Sequence, residues 1–168
     1  MAVQVPPVPQ GKNYINGAWQ SGDVAASITV RNPADGSVLG EIPNSDAGVV
    51  DQAVQAARQA FNNPDWRQLP PMARESLLQR LADLIDQNAD ELAALESLDN
   101  GKPLAFSSTV DVPLSAMWFR YFAGWCSKLS GRQLTPALQP EGSHHVYTRR
   151  EPVGVVGAIV PWNFPLVL

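Results

Sequence analysis

An α/β fold is predicted by three features of the sequence. The run Val153–Val160 (VGVVGAIV) is almost wholly apolar and rich in valine, the pattern of a strand covered on both faces in a parallel sheet. Between Ser45 and Leu129, apolar residues recur at helical spacing in three or four stretches. Ahead of them lie short extended pieces around Asn16-Gly17 and Asn32-Pro33-Ala34-Asp35-Gly36, turn sequences that point to a peripheral antiparallel element.

Composition narrows the function classes. The 168 residues suffice for one domain with a core of its own. A net charge of −4 and a pI of about 5.0 leave no basic surplus to neutralise phosphates, so no nucleic-acid partner is expected. The longest apolar run is about ten residues, short of the ~18 that a membrane-spanning helix needs, so no membrane partner is expected either. The opening MAVQVPPVPQGK lacks a charged-then-apolar signal pattern, and its prolines predict a flexible arm over residues 1–13. One cysteine, Cys126, permits no internal disulfide and fits a reducing, cytoplasmic setting.

The elements follow in order. Ser45-Asp46 caps a first helix, whose stripe is Val50, Ala53, Val54, Ala57 and Phe61, and Asn62-Asn63-Pro64 ends it. Pro70-Pro71 opens a second, with Leu77, Leu78, Leu81, Leu84 and Ile85 as its buried face. A short third begins at Asp90-Glu91, carries Leu92, Leu95 and Leu98, and closes on Asn100-Gly101. A long helix over about Val110–Leu129 presents Leu114, Met117, Tyr121 and Trp125 on one face, with Pro113 in its first turn. Residues Arg132–Gly142 read as loop, and His144–Pro152 as a partly exposed strand.

The chemistry concentrates where the apolar strand ends. In parallel sheets, ligands sit beyond the carboxyl ends of the strands, and here that position is Pro161-Trp162-Asn163-Phe164-Pro165. The prolines restrict the backbone, and Pro165 biases Phe164 toward extended geometry. The useful side chain is the Asn163 amide, whose neutral N–H donors could stabilise negative charge growing on a carbonyl oxygen. The residues alone leave a second reading open, in which Asn163 merely fills a polar turn.

Other candidates have plainer readings. Cys126 sits among Phe122, Trp125 and Leu129 with only Lys128 as a nearby cation, and reads as a packed cysteine rather than a nucleophile. His144-His145 would point to opposite faces of a strand, with no acidic or cysteine cluster beside them. Lys102 could hold phosphate but reads as a surface lysine beside a helix end. Asp83, Asp86, Asp90 and Glu91 read as a solvated helix face, and the aromatics from Trp118 to Trp125 as core.

The stretch EPVGVVGAIVPWNFP (Glu151–Pro165) strongly resembles the aldehyde dehydrogenase superfamily. The resemblance extends through LDNGKP (Leu98–Pro103), FRYFAGW (Phe119–Trp125), YTRREPVGV (Tyr147–Val155), YINGAW (Tyr14–Trp19) and the Asn32-Pro33 turn. Among members it is most similar to the phenylacetaldehyde-type and the retinal or mitochondrial-type branches. It implies NAD(P)-dependent oxidation of an aldehyde to a carboxylic acid, with NAD favoured. A cysteine thiolate forms a thiohemiacetal and then a thioester, and a glutamate activates the water that releases the acid. The resemblance places Asn163 as the oxyanion donor and Ile159, Val160, Pro161 and Trp162 along the cofactor. It pairs Asp99 with a backbone carbonyl near Val30 in a monovalent-cation site. It also implies a homodimer or homotetramer.

Under the resemblance the chain is the N-terminal part of the fold. Residues 14–131 form the N-terminal part of the cofactor-binding domain, 132–150 an oligomerisation strand segment, and 151–168 the first strand of a Rossmann-like, nucleotide-binding sheet. The catalytic cysteine and glutamate have no matching positions, so this piece alone is expected to be inactive. The alternatives are a non-catalytic interaction or regulatory fragment, and a fragment that only binds cofactor. The usual dinucleotide fingerprint G-x-G-x-x-G is absent; Gly154 and Gly157 lie within the strand rather than after it. The family lacks that fingerprint as well.

Overall fold

The computed structural model describes residues 7–21, 27–138, 140, 142 and 144–168; part of the expected N-terminal arm, residues 1–6, lies outside them. Two hairpins lead the chain. β1 (Asn13–Ile15) and β2 (Ala18–Gln20) pair antiparallel, with Tyr14 opposite Trp19. Asn16 and Gly17 both have positive φ, 52° and 77°, as a tight turn between twisted strands requires. β3 (Ser27–Arg31) pairs with β4 (Val38–Pro43), and the register shifts between Val30 and Arg31. The Asn32–Gly36 turn closes on itself, with Asn32 Oδ1 accepting from the Ala34 N–H at 3.0 Å and Asp35 Oδ1 from the Ser37 N–H at 2.9 Å. The Ser37 hydroxyl, which donates to the same oxygen at 2.6 Å, and then the Ser37 N–H hold the exposed Asp35 carboxyl below its ordinary pKa.

Helices make up the body. α1 (Ala47–Asn62) is capped by the Asp46 carboxylate, which accepts from the Val49 N–H at 2.9 Å. Asn63 ends α1 and caps α2 (Pro64–Arg67). α3 (Pro71–Gln87) and α4 (Ala89–Asn100) follow, and α4 ends on Gly101 at φ 77°. α5 (Leu104–Phe106) runs into a π-helical turn (Ser107–Asp111) and then α6 (Val112–Ala123).

The expected start near Val110 is therefore displaced: the helical run begins at Leu104, and Pro113 lies inside it. Proline has no N–H and its ring crowds the carbonyl four residues back. The wider turn immediately before it, in which the Val112 N–H reaches back five residues to the Ser107 carbonyl, is the local adjustment to that defect.

The core is small. Ala82 and Ile85 of α3, Ala93 of α4, and Val112 and Ala116 of α6 form its buried cluster, with Leu92, Leu104, Phe119 and Leu166 against it. Alanines at the α3–α6 contact let the helices pack closely. Several expected buried faces are open instead: α1 buries no residue, Leu77, Leu81 and Leu84 are exposed, and so are Met117, Tyr121 and Trp125. The apolar stripes exist, but the described residues supply nothing to cover them.

The expected sheet strand is also corrected. Residues 151–161 form no strand, and Val153, Val156 and Ile159 are 89%, 72% and 103% exposed. A parallel strand is held by hydrogen bonds to neighbours, and no described segment lies alongside to accept them. The sheets present are three antiparallel pairs, the third joining β5 (Gln133–Leu134) and β6 (Val146–Tyr147). The partly exposed strand expected over His144–Pro152 shortens to those two residues of β6.

Gly101 ties the β3–β4 turn to the helices. A Cβ built there would lie 2.9 Å from Pro33 Cγ, and φ is already in the left-handed region. Gly101→Ala is expected to lower stability by about 1–3 kcal/mol in urea denaturation; an unchanged midpoint would contradict this packing.

Candidate active site

The turn that follows residues 151–161 is fastened to the end of α4. Asn100 Nδ2 donates to the Trp162 carbonyl at 2.9 Å, and Lys102 Nζ donates to the Asn163 carbonyl at 2.8 Å. Beyond it, the Leu168 N–H closes onto the Phe164 carbonyl at 3.1 Å, and Leu166 packs on the helical core. Asn163 itself is exposed, at the outer edge of a backbone held from two sides.

Lys102 is the hub. Its ammonium lies 3.2 Å from Glu96 Oε1 and pairs with Asp111 Oδ2. It sits 4.2 Å from the centre of the Phe164 ring and 5.6 Å from that of Phe106. The side chains of Lys102, Glu96 and Asp111 are 13%, 3% and 0% exposed. The sequence reading of Lys102 as a surface lysine is thus corrected. α4 delivers Glu96, the π-helical turn delivers Asp111, and the loop after the Gly101 cap swings Lys102 between them.

Two carboxyls and one ammonium leave an excess negative charge out of water. Burial pushes Glu96 up to about 7, the neighbouring Asp111 carboxyl pushes the same way, and Lys102 opposes both. Burial by itself would depress the Lys102 ammonium, but Asp111 and Glu96 outweigh it and hold its pKa above the ordinary lysine value. Glu96 Oε2 and Asp111 Oδ1 have no other hydrogen-bond partner among the described residues, so a proton held on Glu96 both reduces the charge and gives the pair a hydrogen bond.

The other expected site residues fall as follows. Ile159, Val160, Pro161 and Trp162 form an open edge, with Trp162 80% exposed. Val30 and Asp99 come together, both lining a cleft of about 230 Å³ that Glu41 also borders. The rest of the lining is mostly apolar, with Leu39, Ile42, Leu95 and Leu98, and Asp99 and Glu41 are its carboxylates. Cys126 is half-buried, its Sγ 3.8 Å from the Phe122 carbonyl. The His145 ring lies against Tyr147 at 5.7 Å. Asp83 and Asp86 are not merely solvated: both pair with Arg120, at 2.8 and 2.6 Å.

Glu96 and Asp111 were legible in principle. Glu96 falls on the same helical face as Leu92 and Ala93, and Asp111 precedes the buried Val112 and Ala116. A charge on an apolar face asks for a buried counter-charge. Because folded Glu96 keeps a proton that the unfolded chain releases near 4.5, its contribution is present at low pH and is lost as pH rises toward about 7. Stability is therefore expected to fall with rising pH across that window, and Glu96→Gln to flatten the slope in urea titrations. A slope unchanged by the substitution would place the proton elsewhere.

Residues 19–168 match the aldehyde dehydrogenase family model. The phenylacetaldehyde dehydrogenase of Pseudomonas fluorescens is 45% identical over 156 residues, 92% of this chain and 31% of that protein. The mitochondrial aldehyde dehydrogenase of Sus scrofa is 42% identical over 166 residues, 98% of this chain and 31% of that protein. Among solved structures, the NAD+ complex of a Bacillus cereus aldehyde dehydrogenase superposes with a TM-score of 0.88 at 40% identity, covering 95% of this chain and 32% of that one. The chain thus spans about a third of the length of these relatives. It is mixed in structure, helices with small strands, like the aldehyde dehydrogenases it superposes on, and no described helix is long and apolar enough to cross a membrane. The match over residues 19–168 settles the family: this chain belongs to the aldehyde dehydrogenases.

Proposed function

We propose that this chain is the N-terminal part of an NAD-dependent aldehyde dehydrogenase, and that Asn163 is its oxyanion donor. The observation that carries this reading is the double fastening of the Trp162 and Asn163 carbonyls, in a chain of this family, at the motif that presents an exposed carboxamide. An amide held on fixed backbone offers N–H groups to an aldehyde oxygen without having to be oriented as charge develops. Such a preorganised donor contributes about 3–4 kcal/mol in the transition state.

The division of labour follows. Residues 14–131 would form the N-terminal part of the cofactor-binding domain, 132–150 would carry the contact that makes a homodimer or homotetramer, and 151–168, which form no strand here, would become the first strand of the nucleotide-binding sheet where neighbouring strands lie alongside. Ile159, Val160, Pro161 and Trp162 would hold the dinucleotide along their open edge; NAD+ in the Bacillus cereus relative favours NAD over NADP. Bound there, the dinucleotide supplies the hydride acceptor. Asp99 and the Val30 carbonyl would hold a monovalent cation that braces α4 against the β3–β4 hairpin. The substrate is an aldehyde, and the residues that attack and deacylate it lie outside these 168.

In the complete enzyme, Asn163→Ala is expected to lower kcat by about 10²–10³-fold, the loss for one oxyanion donor. Steady-state turnover with an aldehyde checks this, and an unchanged kcat would remove Asn163 from the mechanism.

A further inference from the structure

We propose that Lys102 and Asn100 are positioning residues for Asn163, clamping the two peptide groups that flank its Cα so that the side chain leaves the backbone in one direction. The inference rests on the reading of Asn163 as oxyanion donor and concerns what holds that donor still. Within these 168 residues Asn163 is exposed, so what they contribute to the direction of its carboxamide comes through its backbone. Its direction is set by φ and ψ at residue 163.

Peptide groups are planar. Holding the Trp162 oxygen fixes the plane entering Cα163, and holding the Asn163 oxygen fixes the plane leaving it. Asn100 Nδ2 does the first at 2.9 Å and Lys102 Nζ the second at 2.8 Å. With both planes fixed, φ and ψ of residue 163 are fixed, and so is its Cα–Cβ bond. Pro161 and Pro165 alone cannot do this, because each constrains its own φ and the residue before it.

The clamp is itself anchored. Asn100 is the last residue of α4, beside the Gly101 cap. The Lys102 ammonium is pinned by Glu96 from α4 and by Asp111 from the π-helical turn, and the Phe164 ring covers it at 4.2 Å. A solvated lysine would sample many rotamers; this one has a single place to put its charge. The wide turn before Pro113 thus has a use, since it carries Asp111 into the cluster.

A double-mutant cycle in the complete enzyme tests the proposal. Lys102→Met is expected to lower kcat by about 10²-fold, the scale of loss for misplacing a reacting group by roughly 1 Å. Asn100→Ala, which leaves the buried charges paired, is expected to lower kcat by about 10-fold, one of two clamps being lost. In an Asn163→Ala background, either substitution should change kcat by less than about 3-fold, because the group it positions is gone. If Lys102→Met fails to fold, the Asn100→Ala cycle carries the test alone. Single substitutions that leave kcat unchanged, or losses that multiply fully with Asn163→Ala, would overturn the clamp while the oxyanion reading stands. A kcat unaffected by Asn163→Ala itself would overturn both.

Discussion

A largely shielded ammonium beside two buried carboxyl groups is the constraint on which the rest of this structure depends. Lys102 joins three pieces of chain that share no continuous element: the end of α4, the π-helical turn, and the turn at residues 162–164. Clusters of this kind contribute little net stability, since desolvation consumes most of the attraction, yet removing one member leaves a stranded charge and costs about 3–5 kcal/mol. Their value here is geometric. A hydrophobic contact at the same place would tolerate sliding, whereas an ammonium held by two carboxyl groups and aimed at one carbonyl oxygen does not.

The helical framework makes that placement possible by an economy of side-chain size. Alanines at 82, 93 and 116 bring α3, α4 and α6 close together, and the larger apolar residues turn outward. Among the described residues the core is thin, and the apolar faces of α1, α3 and α6 have nothing over them. Asp111 is fully buried among these helices, and the charge of a carboxylate out of water is met by a counter-charge in the protein.

Much of this was legible in the residues, and the exceptions are instructive. Asn16-Gly17, the Asp46 cap, the Asn63-Pro64 break and the Gly101 terminus depend on a few neighbouring atoms, and each sits where the sequence placed it. The π-helical turn was not foreseen, because Pro113 can open a helix or distort one, and only the buried Val112 and Asp111 decide between them. Burial of Leu77, Leu81 and Leu84 failed because periodicity reports which face is apolar, not whether anything covers it. The strand at 153–160 failed for the same reason in another geometry. Lys102 was misread because proximity to a helix end is a local fact, while its partners lie 6, 9 and 61 residues away. Sequence spacing carries no signal for the last of these. The family motifs drew attention to this turn without revealing what holds it.

Amide hydrogen exchange reads that hold most directly. In the Lys102→Met protein, the Leu168 N–H, which closes the turn onto the Phe164 carbonyl, should lose protection relative to amides in the middle of α1. If Leu168 kept its protection while the ammonium was gone, the turn would be held by something else, and the account of Lys102 as its anchor would be wrong.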